Sequence, residues 1–332
     1  MPGRRIFWAA AVSLCVLSSS ACGATVGPSA TASRSTVAVA PSSAVPAAPS
    51  SSAAPQSTVP EPTSTATSGG SQTAGEDSIT EVFDDGNFAN PTTFDNPWMP
   101  FVPGTQWTLE GSATVDEARI KRRIVITITD LAKVIDGVRT VVSWERDYDG
   151  DQLIEAELAF FAQDDDGTIW NMGEYPEEYE DGKYVESKAW LAGLEDAKAG
   201  IMMMADPQLA TPSYSEGWGP KVGWTDRGRV FEMGSKTCVR AGCYTGVLVV
   251  DEFNRDEPDA HQLKYYASGV GIVRVGWAGA NEDEQETMEL VKVVHLAPDA
   301  LVKARAAALA LEAHAYAVSK SLYGQTEPAQ QR

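Results

Sequence analysis

The stretch that decides the fold is Arg122–Met172, RRIVITITDLAKVIDGVRTVVSWERDYDGDQLIEAELAFFAQDDDGTIWNM. Apolar and polar residues alternate along it with a period of two, which is typical of β-strands. Asp-Gly pairs at 136–137, 149–150 and 166–167 interrupt the alternation. Because Asp and Gly tolerate the positive φ of tight turns, the stretch predicts three successive hairpins.

The alternation also assigns side chains to the two faces of these hairpins. Trp144 and Phe160 fall on one face, and Glu155 and Glu157 fall on the other. We expect the aromatic face to be the interior and the glutamates to be solvated. Four large aromatic side chains are the candidate lining of a ligand cavity, with ordinary core packing as the alternative: Trp144, Tyr148, Phe160 and Trp170.

Strand candidates continue on both sides of the hairpins. One precedes them at 106–111, and six follow between Ser213 and His295, whereas 175–210 is expected to be a long irregular excursion. Pro298 suits a first helical turn and Gly324 a helix end, which predicts a helix over 298–323. These elements predict a mostly β fold, an antiparallel meander forming a barrel or wrapped half-barrel with one C-terminal helix.

The first 22 residues have the pattern of a lipoprotein-type signal peptide. Two arginines precede the apolar run Ile6–Leu17, which is too short to span a bilayer as a helix. Small residues then lead to Cys22, as in the lipobox of bacterial lipoproteins, although Ser19 stands where that motif usually has Leu. We expect Cys22 to be the lipid attachment site. Ordinary signal cleavage near residue 21 or 24, which would give a secreted protein, is the alternative.

The next segment, 23–77, is rich in Ser, Thr, Ala and Pro and has no aromatic residue. Such a composition cannot bury enough apolar surface to offset chain entropy, so we expect a disordered tether. The single β-rich domain is predicted to span 78–325, followed by a short tail at 326–332. The chain would then hold one folded domain away from a membrane surface.

The net charge of the chain is −20 at neutral pH. Nucleic-acid binding requires Lys and Arg opposite the phosphates, so this balance argues against nucleic acid as a partner. It also argues against docking of the folded part on anionic lipid headgroups. A large net charge keeps protein molecules soluble because they repel one another, so the charge requires no specific partner.

Two cysteines, Cys238 and Cys243, remain outside the signal peptide. An even number of cysteines outside the signal peptide of an exported chain favours a disulfide, and the four residues between Cys238 and Cys243 allow a tight turn. A metal pair or a redox pair is the alternative. A redox pair usually has two intervening residues, and no His nearby completes a zinc site.

Motifs for catalysis and cofactor binding are absent from the sequence. It has no Gly-x-Ser-x-Gly, no HExxH, no phosphate loop and no dinucleotide fingerprint. Acidic runs beginning at Asp147 and Asp164 resemble calcium loops, but neither has the bidentate Glu at position twelve. The sequence therefore predicts neither a metal nor a cofactor.

Three segments together resemble a family of bacterial exported proteins of unassigned activity. They are Asn96–Trp107 with NPWMP and PGTQW, Gln163–Trp170 with DDDGTIW, and Tyr265–Val273 with YYASGVG. Family members commonly read N-P-Y-F-P, P-G-T-x-W, D-x-D-G-x-x-W and Y-Y-A-P-G-V-G. This chain departs at Trp98-Met99 and at Ser268. The resemblance implies an envelope protein with an open barrel similar to lipoprotein carriers, and it supplies no catalytic residues.

The leading hypothesis is a lipid-anchored protein on the outer face of the cell membrane, non-catalytic, that binds an apolar small molecule or an envelope protein. One alternative is an envelope hydrolase or carbohydrate-active enzyme that uses acids of the 175–210 segment, with Glu177, Glu178 or Glu180 as candidates. The other is a structural domain that spans the wall. Two inward carboxylates across a cleft would favour the hydrolase.

Overall fold

The computed structural model describes residues 81–257 and 259–332. The predicted signal peptide with Cys22, and the predicted tether at 23–77, lie outside the described residues. The elements in chain order are β1 (Thr105–Val115), β2 (Ala118–Ile135), β3 (Val138–Asp149), β4 (Gln152–Gln163), β5 (Ile169–Glu180), β6 (Lys183–Tyr184), β7 (Trp190–Leu191), β8 (Lys198–Met203), β9 (Tyr214–Ser215), β10 (Gly217–Trp218), β11 (Arg227–Val239), β12 (Gly242–Phe253), β13 (His261–Ala267), β14 (Gly271–Ala278), β15 (Thr287–His295), α1 (Pro298–Val318), α2 (Lys320–Tyr323) and β16 (Gln330–Gln331).

The strands form one antiparallel sheet that nearly closes into a barrel. Its order is β10-β8-β5-β4-β3-β2-β1-β15-β14-β13-β12-β11-β9. Only Glu216 separates β9 from β10 along the chain, so the two ends of this order meet. Each of these short strands contributes two residue pairs to its neighbour, which makes the closing seam much weaker than the long hairpins. The predicted β-rich barrel with one terminal helix is confirmed.

The three predicted hairpins of Arg122–Met172 are present as β2 to β5. Asp136-Gly137 forms the first turn, with positive φ at both residues, as a tight hairpin turn requires. Register runs without interruption across β3 and β4 from Val141 opposite Phe161 to Asp147 opposite Glu155. This register fixes which side chains point into the barrel.

The inner face of the barrel carries one of two large apolar clusters. It includes Leu109, Ile126, Val141, Leu248 and Leu290, which come from strands on all sides of the sheet. Side chains from strands that are not neighbours meet only inside the barrel. This apolar cluster fills one end of the interior.

Helix α1 packs on the outer face of β2 and β4. Its buried side includes the small residues Ala304, Ala308 and Ala315, which allow close approach to the strands. The second apolar cluster lies between helix and sheet and contains Leu158, Phe160 and Tyr175. One face of these strands therefore packs against the helix, while the other faces the barrel interior.

A buried lysine joins the helix to the sheet. Lys133 of β2 donates from Nζ to Glu312 Oε1 of α1 at 2.9 Å, to the Tyr316 hydroxyl at 3.1 Å and to the Glu327 carbonyl at 2.7 Å. Glu312 also accepts from the Ala329 backbone N–H. This network holds both the helix and the C-terminal segment on the barrel.

Residues 94–104 cross one end of the barrel as a plug. Met99 and Phe101 are buried in the inner apolar cluster, and the Phe101 ring meets Phe161 edge to face at 5.3 Å. The Gly269 N–H donates to the Pro97 carbonyl, and Asn96 Nδ2 donates to the Gly167 carbonyl. The three segments that carry the family resemblance therefore meet at this plugged end, where they have a structural role.

Two boundary predictions are wrong. The segment 175–210 is not irregular throughout, because β5 continues to Glu180 and β6, β7 and β8 follow it. The second of the six strands expected between Ser213 and His295, predicted over 221–233, is β11, which begins at Arg227 and runs on to Val239. The register of β11 with β12 places Cys238 directly opposite Cys243, and the predicted disulfide between them is present.

No helix in the described residues is both long enough and apolar enough to cross a membrane.

Candidate functional site

The aromatic residues predicted to line the interior lie on the outer face of the sheet. Phe160 is fully buried in the outer cluster beneath α1. The Arg146 guanidinium lies over the Trp144 ring at 3.8 Å, and that of Arg123 over the Tyr148 ring at 3.9 Å. Trp170 donates from Nε1 to Asp164 Oδ2. The prediction that this face is the interior is wrong, and ligand binding by these four residues stays a prediction.

The interior instead carries the carboxylates that were expected to be solvated. Glu155 and Glu157 of β4 are 2% and 0% exposed. Register places Glu145 opposite Glu157, and Asp147 opposite Glu155. Like charges directly opposite each other on adjacent strands are destabilising, so both pairs require a proton, a cation or water to offset the repulsion.

More acidic groups reach the same space from other parts of the sheet. Glu174 lies on β5, Glu216 in the seam, Glu252 on β12 and Glu286 just before β15, and all four are buried. Glu145 on β3 is close enough to Lys264 on β13 to feel its charge, although four strands separate them in the sheet. We call this region the acidic chamber, defined by Glu145, Asp147, Glu155, Glu157, Glu174, Glu216, Glu252, Lys264 and Glu286.

The chamber occupies the half of the barrel away from the plug. Along β3 the inward residues change from Val141 near the plugged end to Glu145 and then Asp147, because side chains repeat every second residue. Along β12 the same change runs from Leu248 to Glu252. The interior is therefore apolar at the plug and acidic beyond it.

Burial sets the protonation of the chamber. Loss of water around the carboxyl group raises the pKa of Asp147 to about 7, although the Arg122 charge opposes the rise. Burial likewise raises the pKa of Glu174 to about 8, against hydrogen bonds from Asn171 and Trp190. Burial, reinforced by neighbouring carboxylates, raises the pKa of Glu157 well above its usual value. Several of these groups therefore keep a proton near neutral pH.

Two cations are built into this region. The Arg122 side chain is fully buried and pairs with Asp149 at 2.9 Å, Glu284 at 3.2 Å and Glu286 at 3.4 Å. Lys264 Nζ lies 3.4 Å from Glu252. These pairs offset part of the negative charge of the chamber.

A small void remains where the acidic and apolar halves meet. Its volume is about 10 Å³, roughly the space that one water molecule requires. Its polar walls are Glu145, Asp147, Lys264 and Glu286, and its other walls are aliphatic. The void is too small for a sugar ring in this conformation.

A larger opening lies outside the barrel at the plugged end. This end groove has a volume of about 440 Å³. Its walls are mostly apolar, and Val102 and Val293 on its rim are 49% and 39% exposed. The Trp107 indole N–H at its base donates to the Val270 carbonyl. The groove is lined by Pro100, Val102, Thr105, Trp107, Ala241, Tyr244, Gly269, Val270 and Val293.

The acids proposed for a hydrolase lie on or beside β5 rather than on a loop. Glu177 is buried and accepts from the hydroxyls of Tyr175 and Tyr179, each at 2.5 Å. Its Oε1 also lies 2.6 Å from His314 Nδ1 of α1. Glu178 pairs with Lys188, and Glu180 is exposed at the strand end. This arrangement ties the helix to the sheet, and a hydrolase role for these residues stays a prediction.

Among the described residues, no group of three or more His, Cys, Asp or Glu side chains has the geometry to hold a metal ion. The carboxylates of the chamber are numerous, but they do not converge on one point as calcium ligands do. The acidic run that begins at Asp147 lies at the end of strand β3, and the run that begins at Asp164 lies in the turn between β4 and β5. Asp164 Oδ1 accepts from the Asp166 and Thr168 backbone N–H groups, which closes the β4–β5 turn.

Comparison with known proteins gives limited similarity. A Bacteroides fragilis protein provisionally described as exported, with a YmcC-like fold, is 13% identical and has a TM-score of 0.35 over 61% of this chain and 99% of that one. A Parabacteroides distasonis protein provisionally described as a lipoprotein is 13% identical, with a TM-score of 0.28 over the same shares. Similarity at this level supports no argument about function. No family model and no curated protein matches the sequence.

Proposed function

We propose that the protein is a non-catalytic binding protein of the cell envelope that takes up the apolar part of a small molecule in the end groove. The groove carries the proposal, because its volume of about 440 Å³ falls within the range of small-molecule sites, roughly 300–1,000 Å³. Its walls are largely hydrophobic and include one Trp and one Tyr, as such sites usually do. Exposed apolar side chains on its rim add surface that a ligand would cover.

The position of the groove fits binding from solution. It lies outside the barrel, so a ligand reaches it without opening the sheet. The plug that forms one wall is held by backbone hydrogen bonds, including Gly104 N–H to the Ile128 carbonyl at 2.7 Å. A preformed wall lowers the entropy lost on binding.

The location proposed for this activity is the outer face of the cell membrane. An anchor on Cys22 with a tether of about 55 residues would place the barrel on the order of 40 Å from the bilayer. The acidic balance of the chain opposes direct contact with anionic headgroups. The barrel would therefore meet ligands in the space beyond the membrane.

A rim substitution tests the groove. Val102→Glu places a carboxylate in the apolar wall, and Val302→Glu places one on the outer side of α1 at nearly equal exposure, 49% against 50%. We expect N-phenyl-1-naphthylamine, a neutral apolar dye, to bind the unchanged protein saturably, with a rise in fluorescence. Affinity should fall about tenfold in Val102→Glu and stay unchanged in Val302→Glu, because only the first desolvates a charge on binding. Equal affinity in both variants, or no saturable binding, would overturn the proposal.

A separate experiment tests the anchor. Cys22→Ala should move the protein from the membrane fraction to the medium, since two acyl chains hold a protein on a bilayer far better than one or none. Cys15→Ala, inside the apolar run of the signal, should leave fractionation unchanged. The lipid anchor is refuted if Cys22→Ala remains membrane-bound.

A further inference from the structure

The barrel is closed by a short segment, residues 214–218, which we call the seam strap and which consists of β9, Glu216 and β10. It pairs with β11 on one side and with β8 on the other, through two residue pairs each. Further backbone hydrogen bonds tie it to the start of β11. The Glu216 N–H donates to the Asp226 carbonyl at 2.9 Å, and Gly219 and Trp224 donate to each other's carbonyl groups. The join between the seam strap and β8 is therefore the weaker of the two.

The strap and β8 are held together by backbone contact and by one aromatic ring. A Cβ atom on Gly200 of β8 would overlap the backbone of Gly217, so the two strands touch where neither has a side chain. A Cβ atom on Gly217 would overlap the Trp190 ring, which lies against the strap. Trp190 also stacks on Trp224, with ring centroids 6.1 Å apart. Interlocking side chains do not hold these two glycines together, so the strap can separate from β8 with little disruption of the core.

Two buried carboxyl groups lie at this join. Trp190 donates from Nε1 to Glu174 Oε2 at 3.3 Å, which places Glu174 beside the ring that contacts the strap. Glu216 belongs to the strap itself and is 3% exposed. Its Oε1 atom has no hydrogen-bond partner among the described residues. The state of these two carboxyl groups therefore bears directly on the closing contact.

Ionisable groups face Glu216 from all the strands around it. They are Tyr214 on β9, Glu174 on β5, Asp226 just before β11, Arg227 on β11, Glu252 on β12, and Lys264 and Tyr266 on β13. Three of these groups are acids and two are bases. A negative charge on Glu216 is thus opposed by three carboxyl groups that can also become negative.

Both nearby cations are paired with other acids. Lys264 Nζ lies 3.4 Å from Glu252, and the Arg227 guanidinium lies 3.8 Å from Glu81. Glu216 receives only the more distant effect of these two charges. Ionisation of a carboxyl group at the join consequently has no adjacent cation to offset it, and a buried charge without such a partner is destabilising.

The closed barrel keeps protons on the two carboxyl groups near neutral pH. Burial raises the pKa of Glu174 to about 8, against two hydrogen bonds that it accepts. Burial, followed by the charges of Glu252 and Asp226, raises the pKa of Glu216 well above its usual value of 4.5. Once solvated, each group ionises near that usual value. Opening therefore releases protons, and it becomes more favourable as pH rises from about 4.5 to about 8.

We propose that the seam strap is a pH-dependent closure of the barrel, which separates from β8 together with β11 when Glu174 and Glu216 lose their protons. Reprotonation restores the closed sheet. The seam is suited to this role because its weaker join coincides with uncompensated acidic groups. No strap residue lines the end groove, so this inference does not depend on ligand binding there.

Hydrogen–deuterium exchange of the purified protein at pH 5.5, 6.5 and 7.5, resolved by peptide mass spectrometry, tests the proposal. Rates are divided by the intrinsic amide rate at each pH, so that they report the opening equilibrium. Release of one proton raises that equilibrium about tenfold per pH unit, so corrected exchange over 198–218 should rise at least about thirtyfold from pH 5.5 to 7.5. Exchange in β3 requires unfolding of the barrel and should be slower at every pH.

Substitutions identify the groups that release the protons. A double variant, Glu174→Gln with Glu216→Gln, keeps the size of both side chains and stays neutral throughout this pH range. Glu232→Gln makes the same change at an exposed position of β11 and is the matched control. The corrected exchange over 198–218 should change by at most about threefold with pH in the double variant, and as in the unchanged protein in the control.

A disulfide across the join provides a second test that leaves the carboxyl groups intact. Lys198 and Trp218 lie directly opposite each other on β8 and β10, a position that suits a disulfide. Oxidised Lys198→Cys/Trp218→Cys should exchange at least about tenfold more slowly over 198–218 at pH 7.5 than Lys198→Ser/Trp218→Ser. This comparison decides the question if the glutamine variant does not fold.

Three results would overturn the inference. Corrected exchange over 198–218 that does not change with pH, or that changes equally in the double glutamine variant, would show that these carboxyl groups do not control the seam. Exchange no faster over 198–218 than in β3 would show that the seam opens only when the barrel unfolds. Equal exchange in the disulfide variant and its serine control would show that the strap does not leave β8.

Discussion

Neutralising one interior carboxyl group should make the protein less sensitive to alkaline pH. Burial raises the pKa of Asp147 from 3.8 to about 7 in the folded protein. Between these two values the native state keeps a proton that the unfolded chain has released. Because the unfolded state binds fewer protons, the free energy of unfolding falls as pH rises through this window.

The size of the effect follows from the pKa difference. A rise from 3.8 to about 7 corresponds to about 4 kcal/mol of stability lost between pH 4 and pH 7. Asp147→Asn removes this loss, because the amide is neutral at every pH. Relative to the unchanged protein, the variant should be within about 0.5 kcal/mol at pH 4 and more stable by up to about 4 kcal/mol at pH 8.

Urea denaturation at pH 4, 6 and 8, followed by tryptophan fluorescence, measures the difference. Asp151→Asn is the matched control, since Asp151 lies exposed in the turn after β3, two strand-face positions beyond Asp147. Its free energy of unfolding should track the unchanged protein at each pH. Loss of stability in Asp147→Asn at pH 8 would refute the reasoning, because it would mean that the carboxylate is favourably paired when ionised.

Further substitutions test the assignment of the two sheet faces, the buried lysine that joins α1 to the sheet, and the disulfide. Phe160→Ala should lower the free energy of unfolding by about 3–5 kcal/mol and Trp144→Ala by clearly less, because the Phe160 ring is fully buried under α1 and the Trp144 ring is half-buried beneath an arginine. Urea denaturation midpoints of the two variants measure the difference. A larger loss in Trp144→Ala than in Phe160→Ala would contradict the assignment of the two faces. Lys133→Met should lower the free energy of unfolding by about 3–5 kcal/mol and speed amide exchange in α1, because it leaves the Glu312 carboxylate buried without a compensating cation; unchanged exchange would count against this anchor. Replacing Cys238 and Cys243 by Ser should cost at most about 2–3 kcal/mol, because the closed loop is short; a larger loss in urea denaturation would show that the disulfide does more than close the hairpin.

The sequence predicts the hairpins well because their turn chemistry is local. Asp136-Gly137 specifies a turn without help from distant residues, and the two-residue period then assigns each side chain to a face. The grouping of Trp144 with Phe160, and of Glu155 with Glu157, is correct for this reason. The terminal helix is also local, with Pro298 at its start.

Which face is inside depends on distant parts of the chain. The usual rule that carboxylates face water fails here, because α1 covers the aromatic face and the far strands enclose the acidic one. One feature of the sequence could have indicated that the acidic face is the interior. The face that carries Glu157 also carries Ala159 and Phe161, so it is not a uniformly polar surface.

The end groove could not be read from the sequence for a similar reason. Its walls come from the plug, β1, the β11–β12 hairpin, the β13–β14 turn and β15, which meet only when the barrel closes. Trp107 and Val270 belong to segments that carry the family resemblance, but their hydrogen bond joins residues far apart in the chain. This hydrogen bond also shows that both residues help to pack the plugged end of the barrel.

The central claim is that a cluster of carboxyl groups faces the interior of the barrel. Carbon-13 NMR titration of the glutamate side-chain carboxyls tests it most directly. We expect Glu174 to titrate at about pH 8, and Glu145, Glu155, Glu157 and Glu216 to titrate well above the usual value of 4.5. If every glutamate signal titrates near 4.5, these carboxyl groups are solvated, and the acidic interior described for this barrel is contradicted.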